Sequence, residues 1–267
     1  MRQYILPDSW KGRGELRLAG KEHHYLTRVL RYPRGTRFPG RDRKGNLFDL
    51  TLLSADDRSC TLLVEPRNAG VSGTGVPESG ETSRSVDIRL YPSLLKGKNT
   101  DLVIRQATEA GVTLIQPVIS RNSVRKGEEG EEDHRVERWR KIAREAAQQC
   151  GNPGIPEILP PVALAEVDLE IFSREPVPGG PCGLFFHEKT LENKPLHVYL
   201  REISGPVSLF FGPEGGFSPQ EVETFLSRGL KPVYLGDNVL RAETAVLYGT
   251  GAVQTILRER DSWTTQE

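Results

Sequence analysis

Cysteine is scarce in this chain, with three residues among 267, and long apolar runs are missing. Cys60, Cys150 and Cys182 are odd in number and far apart, which argues against a disulfide framework and against a zinc site. We therefore expect three buried thiols and no metal. No apolar stretch approaches the roughly 20 residues that a membrane-spanning helix requires. Residues 1–8 lack the apolar core of a signal peptide, so we expect a cytoplasmic protein with no membrane partner.

Two common nucleotide-binding motifs are lacking as well. The segment Gly97-Lys98-Asn99 has no Ser or Thr after its lysine, so it does not match the P-loop pattern. No Gly-x-Gly-x-x-Gly follows a predicted strand, which removes support for a dinucleotide-binding Rossmann domain. The sequence therefore indicates neither a P-loop enzyme nor a nicotinamide-dependent one.

The charge of the chain is balanced overall but uneven along its length. The net charge is zero, yet residues 1–45 contain twelve Lys or Arg and only four Asp or Glu. Arginine predominates there, and its planar guanidinium suits bidentate contact with phosphates and base edges. A basic segment of this kind indicates either an RNA-binding surface or an ordinary solvated face.

The residue pattern predicts two domains joined by a linker. Residues 1–66 contain short alternating segments, which predict a small closed β-barrel. Residues 67–85 are rich in Gly, Ser, Thr and Pro, which favours a flexible linker or an exposed loop. In residues 86–267 apolar strands alternate with helical patterns, as is typical of an α/β fold with helices on both faces of a parallel sheet.

Several elements of the second domain can be placed from local pattern. A helix is predicted over 102–110, with Asn99 or Thr100 as its cap and Gly111 at its end. Apolar runs predict five strands, at 86–91, 112–119, 183–187, 207–211 and 232–235.

The segment Gly212–Glu221 predicts a ligand-binding loop. It follows a predicted buried strand, and its glycines let the backbone approach a ligand closely. Ser218, Pro219 and Glu221 match a helix start with a capping box. Losing the Ser218 hydroxyl should cost about 1 kcal/mol of stability.

A second loop of this kind covers Leu235–Ala245. It leaves a strand at Gly236 and opens a helix with Arg241, Glu243 and Thr244. The charges fit a ligand site or a simple helix-start pattern, but two such loops in one sheet favour a shared site.

The ordered set of motifs resembles one known family. The two loops closely resemble the signature of the 16S rRNA uracil-N3 methyltransferases, which belong to the SPOUT superfamily. The supporting segments are Leu94–Gly97, Gln106–Val112, Arg121–Ser123, Arg144–Cys150, and, in the amino-terminal domain, His23–Arg31 with Gly35. Asn238 and Ala242 depart from the family pattern, which commonly has Arg and Thr there.

The resemblance implies a fold and an assembly. The carboxyl-terminal domain is expected to be a SPOUT α/β trefoil-knot domain, and the amino-terminal one a PUA-like β-barrel. Two subunits are expected to pair through the knot domain as a homodimer. The expected substrate is 16S rRNA in the small ribosomal subunit, and the expected cofactor is S-adenosyl-L-methionine.

The resemblance also implies site residues. The expected cofactor-binding residues are Phe186, His187, Glu188, Gly212, Pro213, Glu214, Gly215, Gly216, Phe217, Leu235, Gly236, Val239, Leu240, Arg241 and Thr244. The catalytic candidates are Arg241, which would hold an anion, and Glu243 as the base, with Glu214 as the second choice. The expected phosphate contacts are Arg28, Arg31, Arg34, Arg41 and Arg43.

Two rival functions fit the same sequence. One is an RNA-binding or ribosome-assembly factor that keeps the fold without turnover, which the departures at Asn238 and Ala242 would favour. The other is a SPOUT methyltransferase that acts on another RNA, against which the amino-terminal motif argues.

Overall fold

The structure is a computed structural model that describes residues 3–7, 10, 12, 14–42, 46–67, 87–123, 131–152, 154–172, 180–191 and 194–263. Arg43 and residues 68–85 of the predicted linker lie outside this part. The chain forms two compact units. The first contains Met1–Thr82 and Ala147–Ile155, and the second contains Ser83–Ala146 and Pro156–Glu267. The sequence pattern did not predict that residues 147–155 join the first unit.

The first unit contains one five-stranded sheet. Its strands are β1 (Tyr4–Ile5), β2 (Gly14–Ala19), β3 (Arg37–Arg41), β4 (Leu47–Ala55) and β5 (Ser59–Pro66). They lie in the order β1-β3-β4-β5-β2, antiparallel except for the parallel pair β1–β3. Alternate residues of β4 and β5 are buried, since Leu50, Leu52, Leu62 and Val64 are at most 1% exposed. This alternation puts one face of the sheet in the core.

A short helical segment follows β2. Helix α1 (Gly20–His24) continues as one π-helical turn, Tyr25–Val29, and Leu26 of this turn is fully buried in the core. The segment Gly20–Val29 is therefore helical, and its last turn is the wider, π-helical one.

Arg41 corrects a sequence-based prediction. It is only 1% exposed, and its guanidinium donates to the backbone oxygens of Ala147 (3.3 Å) and Gly151 (3.4 Å), all within the first unit. Burial lowers the pKa of this guanidinium. A buried side chain with these partners cannot reach a phosphate, so Arg41 stabilises the fold and is not an RNA contact.

The second unit is an α/β structure, as predicted. Its strands are β6 (Ile88–Pro92), β7 (Leu114–Ile115), β8 (Val118–Ile119), β9 (Glu157–Ile158), β10 (Val162–Ala163), β11 (Cys182–Phe186), β12 (Val207–Phe211) and β13 (Lys231–Val233). Its helices are α2 (Asn99–Glu109), α3 (Glu131–Cys150), α4 (Leu196–Leu200), α5 (Pro219–Ser227) and α6 (Ala242–Trp263), with a 3₁₀ turn at Leu164–Glu166. The last residues of α3, from Ala147 on, belong to the first unit. Six strands form a parallel sheet in the order β13-β11-β12-β6-β7-β9.

Helices cover both faces of this sheet, which confirms the prediction. On one face, Phe185 and Phe210 contact Phe225 of α5, with ring centroids 5.1 and 5.3 Å apart. On the other, Phe186 and Phe211 stack at 4.0 Å and lie against Gly249 of α6. A Cβ at Gly249 would be 2.6 Å from the Phe186 ring, so only glycine lets α6 approach this closely.

Three local predictions were wrong. The run 112–119 is two short strands, because Pro117 separates them and β8 pairs with β10 outside the main sheet. Helix α2 has no side-chain cap: it follows Lys98, and the Thr100 hydroxyl accepts the N–H of Leu95 instead. Cys150 is exposed, contrary to the expectation of three buried thiols, whereas Cys60 and Cys182 are buried.

No helix in the described part of the chain combines the length and apolarity needed to cross a membrane.

Candidate functional site

A cavity of about 500 Å³ lies at the carboxyl ends of the central strands. Strands β13, β11, β12 and β6 are neighbours, and Val233, Phe186, Phe211 and Pro92 stand in register at their ends. The loops that leave these strands therefore converge at one edge of the sheet. Open α/β sheets bind ligands at this edge, and the volume is that of a small-molecule pocket.

The cavity brings most of the predicted site residues together. It is lined by Asn99, Phe186, His187, Glu188, Phe211, Gly212, Pro213, Glu214, Gly216, Leu235, Gly236, Asn238, Val239, Leu240, Arg241, Ala242, Glu243 and Ala245.

Three predicted cofactor residues lie outside the lining. Phe217 is buried against Phe225 at a centroid distance of 5.0 Å, so it belongs to the core. Gly215 turns its carbonyl oxygen to Asn122, and the side chain of Thr244 is exposed.

Five lining residues were missed as ligand contacts: Asn99, Phe211, Asn238, Ala242 and Ala245. Asn99 lies after β6, and no local sequence pattern predicts that β6 pairs with β12. The other four adjoin predicted residues and were within reach of the same argument.

The loop after β12 has the predicted helix start. The backbone N–H of Ser218 donates to Glu221 Oε2 (2.7 Å), and the N–H of Glu221 donates to Ser218 Oγ (3.4 Å). This capping box, with Pro219 in the first turn of α5, is the one predicted. Gly216 has a φ of +66°, and a Cβ at Gly212 would lie 3.1 Å from the backbone nitrogen of Phe217. Both positions therefore favour glycine over any residue with a side chain.

Glu214 lines the cavity but is already engaged. Its Oε1 accepts the backbone N–H of Lys96 at 3.0 Å, which joins the loop after β12 to the loop after β6. This contact favours a structural role for Glu214 over a role as a base.

Arg241 and Glu243 lie where α6 begins. Both line the cavity; Arg241 is exposed and Glu243 is half-buried. The Arg241 carbonyl oxygen accepts the N–H of Ala245 (2.8 Å), so the first turn of the helix starts at the cavity. A helix of 22 residues directs the positive end of its dipole there, and the guanidinium adds a full charge. The site is therefore suited to hold an anion beside a carboxylate.

A second, larger cleft has less chemistry to offer. It measures about 630 Å³ and lies between α5 and the 3₁₀ turn. Several of its charged groups are engaged within the protein: Arg228 contacts Glu170, and Glu221 Oε1 accepts the backbone N–H of Arg121 at 2.8 Å. We therefore place the functional site in the smaller cavity.

In the described ranges, no group of three or more His, Cys, Asp or Glu side chains could hold a metal ion. His23 is buried, and its Nε2 lies 2.9 Å from the backbone oxygen of Asp56. His23 is therefore a packed histidine of the core.

Known proteins resemble the chain over both units. The model of the RNA methyltransferase domain family matches residues 82–254. A ribosomal RNA small subunit methyltransferase E from Synechocystis sp. is 28% identical over 237 residues, which are 88% of this chain and 71% of that protein. A ribosomal RNA small subunit methyltransferase E 2 from Borreliella burgdorferi is 28% identical, covering 90% of each chain.

A solved structure has the same fold. The crystal structure of a ribosomal RNA small subunit methyltransferase E from Neisseria gonorrhoeae, bound to S-adenosyl methionine, superposes with a TM-score of 0.76. It is 25% identical and covers 96% of this chain and 98% of its own. Since the family model spans well over half of the sequence, the chain belongs to the RNA methyltransferase family, as its motifs indicate.

Proposed function

We propose that this protein transfers a methyl group from S-adenosylmethionine to N3 of a uridine in 16S rRNA of the small ribosomal subunit. One observation carries the proposal: Arg241 and Glu243 share a cavity with two glycine loops at the carboxyl ends of the sheet. The family membership and the ligand of the Neisseria structure support it. We also infer, from the motifs alone, a knotted path in the second unit, a PUA-like barrel in the first, and action in the cytoplasm.

The residues of the cavity fit a cofactor with an adenine ring and charged ends. Leu235, Val239 and Leu240 offer apolar surface to a ring, and the glycine backbone allows close polar contact. Arg241 and the amino terminus of α6 suit a carboxylate or an anionic base. When bound, S-adenosylmethionine would supply the methyl group for N3 of uracil. The S–CH₃ bond would break as the N–CH₃ bond forms, and its electron pair would stay on sulfur.

Glu243 is our choice for the base. N3 of uracil carries a proton, which must leave when the N–CH₃ bond forms, and Glu243 can accept it. Arg241 would stabilise the negative charge that develops on the uracil ring. Glu214 is no longer our second choice, because its carboxylate holds the Lys96 amide.

The RNA would meet the first unit through exposed arginines. Arg28, Arg31 and Arg34 are exposed, whereas Arg41 is buried and leaves the set. Each exposed guanidinium that contacts a phosphate releases counterions, so binding should weaken as salt rises.

Arg31 has an unusual backbone. Among the described residues it is the single non-glycine residue with a positive φ, at 53°, and it lies two residues after the end of the π-helical turn. Glycine would adopt this conformation without strain, so an arginine here indicates selection for its side chain.

Replacing Arg31 with glycine should weaken RNA binding without harming the fold. We expect the free energy of unfolding to stay level or rise by up to about 1 kcal/mol, while the salt dependence of RNA affinity loses about one unit of slope. Thermal unfolding and filter binding of 16S rRNA at several salt concentrations would measure both. Equal affinity and slope in the variant would remove Arg31 from the RNA surface.

Four exposed apolar side chains, one of them in the lining of the cavity, support the proposed homodimer. Val239 is 81% exposed, Tyr248 58%, Leu247 42% and Tyr234 38%, and all four lie on α6 or on the loop before it. Exposed apolar groups on consecutive segments of the chain are what an interaction surface between subunits requires. We infer that a second copy of the chain covers them and completes the wall of the cavity near Val239.

Replacing Leu247 with glutamate should therefore separate the dimer. Leu226 on α5 has the same 42% exposure and provides the matched control. We expect light scattering to give twice 29.8 kDa for the wild type and for Leu226→Glu, but a single chain for Leu247→Glu. A wild-type monomer, or a dimeric Leu247→Glu, would contradict the inferred interface.

The proposed function is tested by titrating S-adenosylmethionine into the pure protein and by mapping methylated nucleotides. We expect saturable binding, transfer to small subunits from cells that lack the protein, and a methylated uridine N3 in their 16S rRNA. Binding without transfer would indicate an assembly factor, and a methyl group on another RNA or atom would indicate a different specificity. Either result overturns the proposal.

A further inference from the structure

The loop that follows β12 is held in place by a residue outside the cavity. Asn122 does not line the cavity, yet its side-chain Nδ2 donates to the carbonyl oxygens of Gly215 (3.2 Å) and Gly216 (3.1 Å). One carboxamide thus satisfies two consecutive carbonyls of the glycine loop. A side-chain amide has two N–H donors, so both contacts can form at once.

The turn that carries Asn122 is itself well fixed. Ser120 and Ser123 bond through their hydroxyls at 2.8 Å, and the backbone N–H of Ser120 donates to Ser123 Oγ at 3.1 Å. The hydroxyl of Ser93, which follows β6, donates to Ser120 Oγ at 3.2 Å, and both of these serines are buried. The backbone N–H of Arg121 donates to Glu221 of the capping box at 2.8 Å. Asn122 is therefore presented from a rigid support.

The glycine loop is shaped to accept this contact. A Cβ at Gly215 would lie 3.4 Å from the Asn122 Cβ, so the two backbones approach closely. On its other side the loop is fastened by Glu214 to the N–H of Lys96, and inside it the Gly216 N–H donates to the Pro213 carbonyl (2.8 Å). Glycine-rich backbone is costly to order, and these bonds order it before a ligand arrives.

We propose that Asn122 is a positioning residue that preorganises the cofactor loop Pro213–Gly216 and so raises the affinity for S-adenosylmethionine. This rests on the proposed function for the identity of the ligand, but not for the clamp itself. Asn122 acts through the glycine backbone and contacts no reacting atom. Its effect should appear in cofactor binding and not in the chemical step, because Arg241 and Glu243 lie where α6 begins and not in this loop.

The sharpest test is Asn122→Asp, which keeps the shape of the side chain. It removes both donors and sets a carboxylate against two carbonyl oxygens. We expect the dissociation constant for S-adenosylmethionine to rise by more than about tenfold, because repulsion between the carboxylate and the carbonyl oxygens adds to the loss of two hydrogen bonds. Asn122→Ala, which removes the donors without repulsion, should give a smaller rise. The turnover rate at saturating cofactor should stay within about twofold of the wild type.

Arg121→Ala is the matched control. Arg121 is exposed on the same turn, and its guanidinium contacts Gln220, not the glycine loop. Cofactor affinity, measured by calorimetry on the protein alone, should not change in this variant. Equal affinities in Asn122→Asp and Arg121→Ala would overturn the proposal.

A second readout needs no ligand. In hydrogen–deuterium exchange of the free protein, peptides covering residues 212–217 should exchange faster in Asn122→Asp than in the wild type, while those covering β11 should not change. Unchanged exchange in residues 212–217 would contradict the proposal that Asn122 holds the loop, even if the affinity for S-adenosylmethionine fell. A wild type that binds no S-adenosylmethionine would instead overturn the proposed function, and the exchange result would still decide whether Asn122 holds the loop.

Discussion

Replacing Glu243 with glutamine should lower the turnover rate of methyl transfer by about a hundredfold to ten-thousandfold. This is the usual contribution of a positioned general base, and glutamine keeps the size of the side chain while it cannot accept the proton. Glu243 lies half-buried in the cavity, one residue into α6, where glutamine fits the same space, so the substitution should leave the fold unchanged. Methyl transfer to small subunits under saturating cofactor would measure the effect.

The pH dependence of the residual rate adds a second check. If Glu243 takes the N3 proton, the glutamine variant depends on uracil that has already ionised, so its rate should rise with pH. Glu223→Gln, at an exposed position of α5, is the matched control and should behave as the wild type. A Glu243→Gln turnover rate within about threefold of the wild type would show that the base lies elsewhere or that none is needed.

The features of the site that depend on neighbouring residues could be predicted from the sequence. Ser218 and Glu221 specify a helix start through their own side-chain chemistry, and the structure forms that capping box. The largely apolar runs of β11 and β12 are typical of buried parallel strands, and the structure buries every residue of both. Because a parallel sheet aligns the ends of its strands, the two glycine loops had to meet at one edge.

The features that depend on contacts between distant residues could not be predicted from the sequence. Arg41 looked like its exposed neighbours, and its burial depends on carbonyl groups at 147 and 151, more than a hundred residues away. Asn99 joined the cavity because β6 lies beside β12, a pairing that no local pattern encodes. Thr100 does not cap α2 because its hydroxyl accepts the backbone N–H of Leu95, in the preceding loop. In each case a tertiary partner overrode a local preference.

The electrostatic design of the site leads to the last prediction. Arg241 stands at the positive end of α6, so two sources of positive potential act on the same part of the cavity. A guanidinium stays protonated at any relevant pH and offers a planar set of donors, which suits the delocalised charge of a uracil anion.

Replacing Arg241 with methionine should therefore lower the turnover rate by about a hundredfold to a thousandfold, the cost of removing one donor to a developing anion. Arg241→Lys should recover only part of this loss, because an ammonium group keeps the charge but not the planar donors. Arg258→Met, at an exposed position of the same helix, is the control for helix stability. If Arg241→Met weakened cofactor binding and left the turnover rate intact, the guanidinium would hold the cofactor carboxylate, and the uracil charge would be stabilised by the amino terminus of α6 alone.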